Sequence, residues 1–104
     1  MNWHPITREE LELIVQKSLI SLPGDLREHF QCVAEEPRQV PCRRGGGNLE
    51  KLFVIATSNH RLMVFDDVED EFGVTMQPPA GEVLENWELF PDLESAFRGL
   101  LNAP

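Results

Sequence analysis

Residues 50–77, EKLFVIATSNHRLMVFDDVEDEFGVTMQ, decide how this chain folds. Leu52-Phe53-Val54-Ile55-Ala56 is continuously apolar, the pattern of a strand covered on both faces. Asn59-His60 marks a reversal, because asparagine tolerates the positive φ that a two-residue hairpin turn requires. Ser58 and Arg61 flank that turn. The return strand, Arg61 to Phe65, sets Leu62 and Val64 on one face and Met63 and Phe65 on the other. Both arms are apolar on both sides, so each face of the sheet needs a cover. Asp66 to Glu71 follows as an acidic connection of five carboxylates in six residues. Phe72 to Met76 reads as a third strand, with Phe72, Val74 and Met76 on one face.

On the N-terminal side, Thr7-Arg8-Glu9-Glu10 is a helix start in which Thr7 caps, Glu10 returns the bond and Ile6 staples against Leu11. Leu11, Ile14, Val15, Leu19 and Leu22 then keep the helical period, and Pro23-Gly24 ends it, which predicts a helix over Thr7 to Leu22. Leu13 and Ile20 fall on the opposite side of that helix. They are either scattered surface residues or a stripe that contacts a partner or a second copy. A second short helix is expected from an Asp25 cap to about Val33, with Leu26 and Phe30 along one side. Residues 34–48 carry two prolines, an arginine pair and three consecutive glycines, and read as a flexible loop. Val40 to Arg43 can be extended within it, as each proline biases the residue before it that way, but a central strand is not expected there, since Pro41 cannot donate to a ladder.

On the C-terminal side, Pro78-Pro79-Ala80-Gly81 is a turn and EVLENWELF, residues 82–90, reads as a fourth strand. Pro91 suits a first helical position, with Asp92 and Glu94 in the first turn. Leu93, Ala96, Phe97, Leu100 and Leu101 form the inward face of a closing helix. The expected architecture is a single α+β domain over residues 1–104: an antiparallel meander of three to four strands with the N- and C-terminal helices packed on one face. The other face is expected to be only partly covered, and so open to self-association or a target.

The charge is −9 in a chain of 104 residues, and it is unevenly placed. Residues 1–61 are balanced, whereas residues 62–104 hold ten acids and one arginine. That field disfavours nucleic acid, which needs clustered Lys and Arg, and favours a basic protein partner or a solvated acidic face. The opening MNWHPITREE has no signal-peptide character and no run reaches membrane-spanning length, so the expected setting is cytoplasmic, with no membrane partner. Cys32 and Cys42 are expected as two thiols rather than a disulfide in that compartment.

No motif for catalysis, cofactor or metal emerges. Gly45-Gly46-Gly47 lacks the lysine and hydroxyl residue of a phosphate loop. The acidic run lacks the spacing of a calcium loop, and His29, Cys32 and Cys42, with His60 or His4, match no zinc spacing. A general acid–base pair of His60 with Asp67 or Glu71 is weakened by the place of His60 at a hairpin tip, where loops are wet and mobile, and a small enzyme with a site near His60 is the minor alternative. The residues expected to bind protein are Asp66, Asp67, Glu69, Asp70, Glu71, Glu82, Glu85 and Glu88, with Trp3 as an aromatic anchor. Leu13 and Ile20 are the alternative contact, for a homodimer of structural or regulatory role.

The capped amphipathic helix, the meander with its acidic turn and the closing Asp-Leu-Glu-Ser-Ala-Phe helix resemble, in general organisation, small bacterial cytosolic proteins, some of them similar to toxin-immunity proteins. That resemblance implies a non-enzymatic protein that holds a tight, often basic, protein partner through an acidic face.

Overall fold

The hairpin at the centre of the sequence is also the centre of the sheet. The computed structural model describes residues 5–43, 49–77, 83–84 and 87–102. Strand β2 (Leu49–Ser58) and strand β3 (Arg61–Asp66) pair antiparallel about the turn, with Ser58 opposite Arg61. Asn59 and His60 both take positive φ, 52° and 63°, as the two-residue turn requires. The alternation of β3 is as read from the sequence: Met63 and Phe65 enter one apolar cluster, Leu62 and Val64 another. A bulge between Val54 and Ala56 lets Ile55 and Ala56 both join the first cluster.

Strand β4 (Glu71–Met76) extends the meander on β3. Strand β1 (Ala34–Arg43) pairs antiparallel with β2 on the other side. Here the expected flexible loop is instead ten residues of strand. Two local features accommodate its prolines. The register shifts between Ala34 and Arg38, so Pro37 sits in an irregularity, and among the described residues strand β5 (Val83–Leu84) meets β1 only at Cys42 and Arg43. Pro41 therefore lies where the outward side of the strand has no described neighbour, the position a proline tolerates. The glycines at positions 45–47 lie outside the described residues.

The expected fourth strand is two strands. Val83–Leu84 pairs parallel with β1, and strand β6 (Glu88–Phe90) pairs antiparallel with β4, giving the order β5-β1-β2-β3-β4-β6. In a flat sheet β5 and β6 would lie five strand spacings apart, about 24 Å, whereas the four residues from Leu84 to Glu88 reach at most about 14 Å. The sheet must therefore curl until its borders approach. The concave side holds the second cluster, Cys42, Leu52, Val54, Leu62 and Val64, with Val40 and Trp87 against it. A Cβ on Gly73 would stand 2.7 Å from Trp87 Cδ1, so the indole lies on the backbone of β4 where a side chain is missing. The second face is therefore closed, not open as the sequence suggested: Val54 and Val64 are fully buried.

The first face is covered by helices α1 (Arg8–Ile20), α2 (Gly24–Val33) and α3 (Leu93–Leu101). Thr7 and Glu10 form the reciprocal cap of α1. Among its residues only Leu11 is fully buried, and Ile14, Val15 and Leu19 are half-buried against the core. Arg27 closes the end of α1, its guanidinium donating to the carbonyls of Leu19 and Leu22 at 2.9 and 3.1 Å, where a cation also meets the negative end of the helix dipole. Helix α2 is preceded by Pro23 and has no side-chain cap, so Asp25 lies in its first turn and does not cap it. Helix α3 is capped by Asp92, which accepts from Ser95 N at 2.7 Å; Pro91 stands before the cap and not inside the helix. Hydrogen bonding from Ser95 holds the Asp92 carboxyl below its usual range. Leu93, Ala96, Phe97 and Leu100 are buried, and the Phe97 ring makes edge contacts with Phe30 and His29 at centroid distances of 5.2 and 5.5 Å. Among the described residues, no helix is long and apolar enough to cross a membrane.

Candidate functional site

The acidic turn between β3 and β4 is built by its own first two carboxylates. Asp66 is buried, and its Oδ1 accepts from Val68 N at 3.0 Å and Glu69 N at 3.1 Å. An aspartate that bonds the backbone two and three residues on nucleates a turn, and Asp70 completes it with φ 58°. Asp67 Oδ2 accepts from Ile6 N at 2.8 Å, across sixty-one positions of sequence. This bond fixes the residue before the Thr7 cap, so α1 starts beside the acidic turn and runs alongside it.

The result is an open groove of about 420 Å³ between α1 and the turn. Glu10, Leu13, Ile14 and Lys17 form the helical wall, spaced as neighbours on one side of α1. Ile6 and Phe65 supply apolar surface at the bottom, and Asp67 and Asp70 stand on the far wall. Leu13 is 59% exposed. Three carboxylates and one ammonium thus surround an apolar patch, which gives the groove a negative field.

This groove unites two features that the sequence presented separately, Leu13 of the outer helical stripe and Asp67 and Asp70 of the acidic run. Ile20, 77% exposed, continues the stripe beyond Lys17 but does not line the groove. Glu69 is exposed on the turn and Glu71 half-buried opposite Asp66. Asp66 is removed from the recognition set, because its carboxylate is buried and engaged with backbone amides. Glu88 is exposed on β6, opposite Val74, and is not among the groove residues. Trp3, Glu82 and Glu85 lie outside the described residues.

The pairing of His60 with Asp67 or Glu71 does not form. His60 stands at the exposed tip that starts β3, and the acidic turn leaves its other end, about 17 Å away along the strand. Cys32 is exposed on α2 and Cys42 is buried on the concave side, and no disulfide joins them. Among the described residues no group of three His, Cys, Asp or Glu side chains could hold a metal ion.

A second groove, about 320 Å³, lies between α1 and the start of β1, with Val15, Phe30 and Ile55 in its walls. Its three glutamates are engaged by residues around it. Glu35 accepts from Thr57 Oγ1 and, at 2.9 Å, from Arg38 Nε, while Arg8 reaches Glu36 at 3.2 Å and Glu12 at 3.5 Å. Burial pushes the Glu35 carboxyl up, but hydrogen bonds from Arg38 and Thr57 and the charge of Arg38 together hold it below the ordinary glutamate range. This arrangement joins the bulged start of β1 to the end of β2. The sequence offered only the local Glu35–Arg38 spacing as a clue, since Thr57 arrives through strand pairing. Comparison with family models, with curated proteins and with solved structures finds no match to this chain.

Proposed function

We propose that this chain is a non-catalytic, cytoplasmic protein-binding domain whose acidic surface takes a basic protein partner, with an immunity-like neutralising role as one form of that activity. The observation that carries the reading is the meeting of Leu13 with Asp67 and Asp70 in one groove. An apolar centre rimmed by charge is the composition of an interface patch, and carboxylates at its rim speed encounter with a cationic partner and reject anionic ones. The alternative of a homodimer through Leu13 and Ile20 draws on their exposure. It is the weaker reading, because two copies meeting at this face would crowd their carboxylates together.

The test immobilises the full chain and a Glu69→Lys/Asp70→Lys variant and exposes each to lysate of the source organism. The wild type should retain a basic protein at low salt and release it at high salt, as screening demands, and the variant should retain none. Equal retention by both forms, or none by the wild type, overturns the reading. A wild-type dimer in sedimentation equilibrium that Leu13→Glu dissociates would favour the homodimer instead.

A further inference from the structure

We propose that the groove between α1 and the β3–β4 turn receives a segment of the partner that carries one large apolar side chain next to a lysine or arginine. This rests on the binding reading above and specifies what the partner must present. The groove wall from Glu10 to Lys17 spans about 10 Å of helix, the length of some three residues of extended chain. Its apolar surface, Leu13 with Ile14 and Phe65, is continuous with the core, so a side chain seated there displaces water from a surface that is already half enclosed.

The carboxylates differ in what they have left to offer. Glu10 is committed to the Thr7 cap and one oxygen of Asp67 to Ile6. Among the described residues no hydrogen bond or ion pair engages Asp70, and its carboxylate is exposed. Asp70, backed by the second oxygen of Asp67, is therefore the position a cation would occupy. Lys17 lies at the end of the stripe and repels a second cation there, which gives the occupant a polarity: basic residue toward the turn, apolar residue toward Leu13. Charge complementarity excludes an acidic segment, a nucleic acid and an anionic membrane, and a second copy would bring the same carboxylates.

The experiment titrates three short synthetic peptides into the isotopically labelled full chain and follows backbone amides by NMR. One peptide alternates lysine and leucine, one is all lysine, and one alternates glutamate and leucine. The lysine–leucine peptide should shift the amides of Leu13, Lys17, Asp67 and Asp70 and bind about tenfold tighter than the all-lysine peptide, with the glutamate peptide silent. Leu13→Ser and Asp70→Asn should each weaken it roughly fivefold, and Met76→Ser, at an exposed apolar residue outside the groove, should leave it unchanged. Equal binding of the all-lysine peptide, or shifts centred on Met76 and Leu89, overturns the groove as the site while leaving an acidic binding face intact. Silence with all three peptides, while the immobilised chain still retains a basic protein, likewise sinks the groove and not the broader function.

Discussion

The two faces of this sheet are made by the same alternating strands and closed by different means. Among the described residues, fourteen buried ones form the cluster under the three helices and five form the cluster on the concave side. The larger cluster is closed by long apolar side chains arriving from separate helices, chiefly Phe30 and Phe97. The smaller one is closed by curvature, and among the described residues Val40 and the Trp87 indole, which lies over Gly73, pack against it. A curled sheet can bury its concave side with little material, and Trp87 is the largest described side chain laid over it.

The largest expected effect comes from removing the principal cover of each face in turn. Phe97→Ala deletes a fully buried ring and should lower unfolding free energy by about 3–5 kcal/mol. Trp87→Ala removes a half-buried ring and should cost about 2 kcal/mol. Urea unfolding measures both, and equal losses would erase the asymmetry between the faces.

A finer comparison uses two glycines, since a Cβ on Gly99 would stand 2.7 Å from Phe90 Cζ just as one on Gly73 meets Trp87. Gly73→Ala should cost about 1–3 kcal/mol by overpacking. Gly99→Ala should cost roughly 1 kcal/mol less, because alanine is the better helix residue and Gly99 lies in α3. A larger loss at Gly99 would show that the concave side yields more readily than the close approach of Trp87 to Gly73 implies.

The smallest effect lies where β1 borders both clusters. Glu35→Gln should cost under about 1 kcal/mol near neutral pH, its side chain being partly solvated. The folded carboxyl titrates below the unfolded one, so its contribution is present above the unfolded glutamate range and is lost as pH falls through the folded value. Unfolding curves of wild type and variant should therefore converge as pH drops below about 4; a gap that persists in stronger acid would break this assignment.

What could be read from the sequence was what is decided locally. The turn at Asn59-His60, the alternation of β3 and the Thr7–Glu10 cap each depend on residues a few positions apart, and each stands in the structure. Strand β1 was hidden because the prolines at positions 37 and 41 weigh against a strand only when its neighbours are complete on both sides, and that information resides in the pairing. The division of residues 82–90 into two strands on opposite borders was equally hidden, since alternation cannot say which neighbour a strand finds. The double apolar character of β2 and β3 asked for cover on both faces, yet the second was expected to stay partly open, because curvature that closes it depends on strand pairing and not on local pattern. In the candidate site, Asp66 could have been recognised as a turn former from its place at a strand end. The approach of Leu13 to Asp70 could not, because it depends on the bond from Ile6 to Asp67 and on a helix laid across the sheet.

The curled sheet also bears on aggregation. Unpaired strand borders invite addition of a strand from another molecule, and proteins blunt them with short strands, bulges and prolines. Here β5 and β6 are two and three residues long, and the long strand β1 carries a register irregularity and two prolines. The chain from Leu84 to Glu88 further draws the two borders toward each other. Among the described residues β5 meets β1 only at Cys42 and Arg43, so along the rest of that border the prolines and the register irregularity are what discourage an added strand.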